Sequence, residues 1–212
     1  MQDRYAGDIG DYGKIGLLKA LQAQGLSIGV NWYRVEPMEI EKKSDCRSID
    51  ALERENLIPN AKYYNDSVTV AMREEWHNRA LEILKGVDIV FVDPDDGMLV
   101  KSVGKRAVKS IKYTFYEEVR DYLQQGQSVV IYNHRSRKQE AQYFHEICIK
   151  LQEVTGVPAG EILKITFPKC SVRDYLAVPA SAEHREKIKA AFFSMEQGIW
   201  GKTGMCRIPR EK

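Results

Sequence analysis

The sequence predicts a single α/β domain, a three-layer Rossmann-like (methyltransferase-like) fold with a mostly parallel sheet. Strand-like and helix-like segments alternate along the chain, the pattern that produces crossover connections and a parallel sheet. One segment, Val87-Asp88-Ile89-Val90-Phe91-Val92, is almost continuously β-branched and aromatic, as a strand covered on both faces must be. The 212 residues, 43% hydrophobic and 29% charged, suffice for one sizeable core and are too few for two comfortable ones. No repeat, low-complexity tract or linker divides residues 1–212.

Taken in order, residues 11–24 read as a helix, with Ile15, Leu17, Leu18 and Leu21 as its apolar stripe. Residues 26–33 follow as a strand. The polar stretch 36–66 holds a short helix near 49–56, and 68–85 form a second long helix closed by Gly86. After the strand at 87–92 come a helix at 114–125, a strand at 127–133 and a helix at 137–155. Strands at 161–167 and 174–179, a helix at 182–197 and a terminal strand at 203–208 complete the chain. Thr114 and Glu117 have the spacing of a capping box at the start of their helix. Trp76 and His77 lie on a helix and read as core residues, and His145 reads as a surface or packing residue.

A net charge of +2 with a pI near 8.2 is too mild to demand a nucleic-acid partner. The four cysteines, Cys46, Cys148, Cys170 and Cys206, are scattered without a Cys-x-x-Cys pair, so neither a zinc site nor a disulfide framework is indicated. The first residues lack an apolar signal core, and no stretch approaches the roughly 18 apolar residues of a membrane span. A cytoplasmic location without membrane association is expected; the oligomeric state is not specified.

Ligands of open α/β sheets bind beyond the carboxyl ends of the strands. The strand at 87–92 delivers Asp93-Pro94-Asp95-Asp96-Gly97 to that edge. Pro94 holds Asp93 extended, and Gly97 permits a sharp turn. Three carboxylates in four positions repel one another unless a cation or a proton sits among them, although an acidic turn of ordinary turn-forming residues is the plain alternative. The strand at 127–133 ends in Asn133-His134-Arg135-Ser136-Arg137-Lys138, where His134 can serve as an acid or base and the arginines can hold phosphate. Lys112 and Tyr113 are within reach of the same edge. Near the N-terminus, Gly7, Gly10, Gly13 and Gly16 recur every third residue into a helix that Asp11 can cap, and each interior glycine costs about 1 kcal/mol of helix propensity. Either close packing or a ligand has to favour them. Neither Gly13-Lys14 nor Gly201-Lys202-Thr203 meets the spacing of a phosphate-binding loop. Arg207, Arg210 and Lys212 make a basic tail, read as a solvated end.

The segment Tyr5-Ala6-Gly7-Asp8-Ile9-Gly10-Asp11-Tyr12-Gly13-Lys14 resembles the N-terminal motif of the bacterial large-subunit ribosomal RNA adenine-N6 methyltransferases, His-Ala-Gly-Asn-x-x-Asp-x-x-Lys. Ala6, Gly7, Asp11 and Lys14 match, while Tyr5 and Asp8 replace His and Asn. Asp93-Pro94 falls where that family carries its catalytic Asp-Pro-Pro-Tyr, and Gly198–Met205 resembles its glycine-rich last strand. The resemblance implies that Tyr5, Gly7, Asp8, Asp11, Lys14 and Pro94 hold S-adenosylmethionine. Two departures stand out: no glycine follows the first strand, where Asn31-Trp32-Tyr33-Arg34 stands, and Asp95-Asp96 replace the Pro-Tyr. The overall pattern also resembles a group of bacterial proteins sharing a Gly-Asp-Ile-Gly-Asp-Tyr-Gly-Lys segment and an Asp-Pro-Asp-Asn-Gly-like element. That likeness covers most of the chain and implies no particular activity.

Three functions follow as expectations. The first is a methyltransferase-like enzyme acting on a nucleic-acid base or nucleotide with S-adenosylmethionine. In it Asp93, Asp95, Asp96 and His134 form the catalytic group, and Asn133, Arg135, Lys112 and Tyr113 bind substrate. The second is a nuclease or nucleotide hydrolase in which Asp93, Asp95 and Asp96 bind Mg²⁺ or Mn²⁺. The third is a nucleotide- or nucleic-acid-binding protein that has lost its chemistry.

Overall fold

A computed structural model describes residues 7–35, 57–135, 139–169 and 171–209. Its strands are β1 (Ile28–Asn31), β2 (Lys62–Tyr64), β3 (Ile89–Val92), β4 (Gly97–Met98), β5 (Tyr113–Thr114), β6 (Ser128–His134), β7 (Leu163–Phe167) and β8 (Arg173–Val178). Six of them form one sheet in the order β2-β1-β3-β6-β8-β7, while β4 and β5 pair separately. Within the large sheet only β8 runs against its neighbours. The helices are α1 (Ile9–Gln22), α2 (Arg73–Ile83), α3 (Tyr116–Gln124), α4 (Glu140–Thr155), α5 (Ala182–Gln197) and the one-turn α6 (Ile199–Lys202).

Alternation along the strands sorts the core into two layers. Ile89 and Phe91 of β3, Val130 and Tyr132 of β6 and Tyr175 of β8 pack with Leu17, Leu18 and Leu21 of α1 and Ile188 and Phe192 of α5. Val90, Val92, Val129, Ile131 and Leu176 turn the other way, onto Ala80 of α2, Val119 and Tyr122 of α3 and Leu151 of α4. All four β3 side chains are fully buried, each contributing about 1.5–3 kcal/mol of apolar burial. The three-layer, mostly parallel arrangement is therefore present. Among the described residues, no helix is long and apolar enough to cross a membrane.

Several boundaries differ from the expected ones. The first strand stops at Asn31, and Tyr33, at a left-handed φ of 47°, interrupts the ladder before Arg34. The second long helix starts only at Arg73: Ser67 bridges Arg34, and the Val68 N–H donates to the Arg34 carbonyl, so this stretch prolongs the strand edge. That helix ends at Ile83, and Gly86, at φ 81°, makes the turn beyond it. The expected terminal strand reduces to one bridge between Thr166 and Arg207, preceded by α6. The short helix near 49–56 falls outside the described residues.

The caps shift too. Helix α1 begins before residue 11, so Asp8 rather than Asp11 caps it, accepting from the N–H groups of Gly10 and Asp11 at 2.7 and 2.9 Å. In α3 the capping interaction moves one residue along, Glu118 accepting from the Phe115 N–H at 2.9 Å.

The connection from β1 runs outward to β2, and the chain then returns to place β3 on β1's other side. Winding reverses between β1 and β3, so the crevice beyond their carboxyl ends is the topological switch point. Asp93 is the first residue past β3. Continuing the alternation of Ile89 and Phe91, it faces the α1 layer.

Candidate functional site

Lys14 of α1 reaches down one face of the helix to that residue. Its Nζ donates to Asp93 Oδ2 at 2.8 Å and to Asp11 Oδ1 at 3.3 Å, and lies 4.6 Å from the centre of the Tyr132 ring. The other oxygen of Asp11 accepts from the Gly7 N–H at 3.0 Å. Asp11, Lys14 and Asp93 are all buried, Asp93 to 1% exposure. Burial opposes the Lys14 charge, yet the Asp93 and Asp11 carboxylates outweigh it and hold the ammonium above its usual range. Burial lifts the Asp93 carboxyl above its ordinary value, and Lys14 offsets part of that rise. Asp93 Oδ1 is buried and has no hydrogen-bond partner among the described residues.

A second set of polar groups adjoins this pair on the same face. Tyr132 and His134, two apart on β6, both turn toward α1, and the Tyr132 hydroxyl lies 2.9 Å from His134 Nε2. Arg173, paired across the ladder with His134, donates through Nε to the Tyr132 hydroxyl at 3.1 Å. Burial, reinforced by the Arg173 charge, lowers the His134 pKa, so the ring is neutral near neutral pH. Tyr175 stands two residues further along β8. It is fully buried, its hydroxyl has no partner among the described residues, and burial drives its pKa far upward.

The glycines of α1 are what let these groups meet. A Cβ at Gly10 would stand 3.3 Å from the Arg173 guanidinium, and one at Gly13 would stand 3.0 Å from the Phe167 ring and 3.5 Å from the Tyr175 hydroxyl. At Gly16 it would collide with Trp200 at 2.3 Å. Close packing thus accounts for the three-residue repeat.

The predicted site residues separate into those that join this cluster and those that do not. Asp8, Asp11, Lys14, Asp93 and His134 join it. Gly7 sits at φ 79° and starts the helix. Pro94 is buried beside Asp93, and Tyr5 falls outside the described residues. Asp95 turns to Lys112, 3.9 Å away, and Asp96 acts on Tyr113, whose hydroxyl pKa rises through burial and the Asp96 charge. Asn133 braces the loop rather than facing a substrate: its Oδ1 accepts from the Met98 N–H at 2.8 Å and occupies the space a Gly97 side chain would need, at φ 112°. Arg135 is committed elsewhere, with bonds of 2.7–3.1 Å to Asp174, Glu140 and Thr166. It is a structural cation, not a free phosphate ligand. Tyr132, Arg173 and Tyr175 escaped the sequence reading. Tyr132 was signalled only by its two-residue offset from His134; Arg173 and Tyr175 sit on the reversed strand, whose start, not end, reaches this edge.

The groups expected as cofactors can be tested against these residues. The resemblance implies that S-adenosylmethionine lies between the α1 start and the end of β1. There, the N–H groups of Gly7, Gly10 and Asp11 are taken by Asp11 and Asp8. The glycine faces of α1 are filled by Arg173, Phe167 and Trp200. After β1, the Asn31 amide bonds the Tyr122 hydroxyl and the Tyr33 N–H, and Trp32 and Tyr33 are fully buried. No glycine cradle stands open among the described residues, so they do not fit that cofactor in the implied manner. For a metal, Asp93, Asp95 and Asp96 turn to three different partners. Among the described residues no three His, Cys, Asp or Glu side chains converge to hold an ion.

The cavities follow the same division. A small one, about 10 Å³, is lined by Ile9, Gly10, Gly13, Phe167, Lys169, Arg173, Tyr175 and Met205, beside the cluster. An open hollow of about 440 Å³ lies at the opposite sheet edge, between the ends of α3 and α4. Set beside known protein families, curated proteins and solved structures, the chain matches none of them.

Proposed function

We propose that the chain is a methyltransferase-like α/β protein that binds an amine-bearing nucleic-acid base or nucleotide at its carboxyl edge without the donor chemistry. Asp93 would accept the hydrogen bond from the amine. One observation carries this reading: a buried carboxylate at the switch point, fixed by Lys14 through one oxygen and left without a partner at the other. Leaving such an oxygen bare costs about 1–3 kcal/mol, a cost usually retained where the group has work to do. Lys14 offsets part of the burial penalty on the carboxylate and aims it, which gives a rigid acceptor. Loss of donor chemistry is supported by the filled glycine faces and by the Asn31-Trp32-Tyr33 turn.

Calorimetric titration with nucleosides and nucleotides tests this. Amine-bearing forms should bind, their oxo counterparts should bind at least about tenfold more weakly, as for a lost hydrogen bond to a charged group, and Asp93→Asn should abolish the preference. Equal binding of both forms, or none, would overturn the proposal.

A second reading, an active S-adenosylmethionine-dependent methyltransferase, is favoured by Asp93-Pro94 directly after β3 and by the Lys14–Asp93 contact that joins the two segments of the resemblance. Binding of S-adenosylmethionine below about millimolar concentration (about −4 kcal/mol), with methyl transfer to an oligonucleotide, would replace the first reading by this one. The metal-dependent hydrolase draws no support from the diverging aspartates.

A further inference from the structure

Three arginines are largely buried at this edge of the sheet, and they are not equivalent. Arg73 is held by Glu118 at 2.6 Å and Arg135 by Asp174 at 2.7 Å. Arg173 is 9% exposed, and among the described residues no carboxylate lies within ion-pair distance of it. Its Nε donates to the Tyr132 hydroxyl, and its Nη1 donates to the backbone carbonyls of Lys169 and Ser171 at 3.1 and 3.2 Å. The Nη2 end faces Gly10, where a Cβ would stand 3.3 Å away. Asp8 is a carboxylate whose charge acts on it from beyond ion-pair distance, and its Oδ1 accepts from the Gly10 and Asp11 N–H groups.

A buried cation without a counter-ion is expensive, and in proteins such charges are paired or bind something of opposite sign. A second observation points the same way. The Tyr175 hydroxyl, fully buried and without a partner, stands beside Gly13 on the wall of the small cavity that Arg173 and Lys169 also line. At about 10 Å³ this cavity admits one oxygen-sized atom. A hydroxyl donor and a guanidinium beside a space for one oxygen, with the exposed Lys169 on the same wall, form the donor set of an oxyanion site.

We infer that Arg173, Tyr175 and Lys169 form a subsite for a phosphate oxygen, so that the ligand read by Asp93 is a nucleotide or a nucleic-acid strand and not a free base or nucleoside. This deepens the reading above and rests on it for the identity of the ligand, but not for the anion. One phosphate oxygen enters between Tyr175 and Arg173. The remainder of the group stays at the mouth, against Lys169.

The test is calorimetry on the full chain with four probes: inorganic phosphate, a nucleoside, its monophosphate and a short single-stranded oligonucleotide. Phosphate and the monophosphate should bind, and the monophosphate should bind at least about tenfold more tightly than the nucleoside, the size of one charge-assisted hydrogen bond. Arg173→Gln should remove that advantage. Tyr175→Phe, which keeps the buried ring, should reduce it several-fold, and Lys187→Gln, on the surface of α5 beside Glu183, should leave it intact. Tighter binding of the oligonucleotide than of the monophosphate identifies a strand as the source of the phosphate; the reverse identifies a free nucleotide. Equal binding of nucleoside and monophosphate, unchanged in both site variants, would overturn the subsite while leaving the Asp93 reading standing. Arg173-dependent phosphate binding with no base preference would keep the subsite and sink that reading. Absence of phosphate binding would overturn the subsite outright.

Discussion

Of the buried ion pairs at the carboxyl edge of this sheet, two lie on opposite faces and differ in how fully the carboxylate is used. On the α2–α3 face, Glu118 takes two bonds from Arg73, at 2.6 and 2.8 Å, and further bonds from the Tyr33 hydroxyl and the Phe115 N–H, both at 2.9 Å. Arg73 adds a bond to the Tyr113 carbonyl and lies against the rings of Phe115, Tyr33 and Trp76 at 4.3–5.2 Å. On the α1 face, Asp93 has a single short bond to Lys14 and one bare oxygen. Burial is similar in both, so burial does not mark the site. What differs is the use of the carboxylate: both Glu118 oxygens accept bonds, although Arg73 Nη1 lacks a partner among the described residues, whereas one Asp93 oxygen is left for a ligand.

Breaking the Arg73–Glu118 pair should have the largest effect. Arg73→Met strands a buried carboxylate and should cost about 3–5 kcal/mol in chemical denaturation, with little effect on ligand affinity beyond the loss of folded protein. Asp93→Asn should cost less, about 1–3 kcal/mol, because Lys14 retains Asp11, while removing amine selectivity. A larger stability loss for Asp93→Asn than for Arg73→Met would mean the contrast has been read the wrong way round.

A smaller effect tests how the α1 pair is seated. Gly16→Ala gains about 1 kcal/mol of helix propensity but loses about 1–3 kcal/mol to overpacking against Trp200, for a modest net loss. It should move α1 and weaken the Lys14–Asp93 contact, read as lower ligand affinity at near-normal melting temperature.

The smallest effect lies in the acid limb of stability, where the two carboxylates have opposite signs. Burial alone would raise Glu118, but Arg73 outweighs it and holds the carboxyl below its ordinary 4.5. Its contribution is therefore complete above that value and is lost as pH falls through the lower, folded-state value. Asp93 is raised above its ordinary 3.8, so its contribution is complete below that value and is lost as pH rises through the folded-state value. In urea titrations between about pH 3 and 6, Glu118→Gln should make the acid loss shallower and Asp93→Asn should make it steeper. Identical slopes in both variants would show that the two carboxylates titrate alike.

Much of this was legible in the residues. The alternation of segments gave the layers, and the apolar run at 87–92 with its following Asp-Pro gave the position of Asp93. The density of polar groups among the glycines of residues 7–14 gave Asp11 and Lys14. What sequence reading could not supply was direction. Arg135 stands at a strand end among other cations and looks like a phosphate ligand, yet a one-residue offset turns it from the α1 face toward Asp174. Asp95 and Asp96 look like partners of Asp93, yet the turn at Gly97 sends them to Lys112 and Tyr113. Arg173 and Tyr175 lie on the one strand that runs backward, which local patterns do not reveal.

That reversal has a consequence for how the chain tolerates change. Surface turns between strands normally accept insertions and deletions freely. Here Phe167 and Arg173 pair directly across the β7–β8 hairpin, and Arg173 is also in register with His134. One added residue that slipped β8 in this ladder would turn Tyr175 to the opposite face and move Arg173 away from Tyr132. The turn closing this hairpin is therefore a length gauge, and sequences sharing the site should vary there in residue identity but not in residue number.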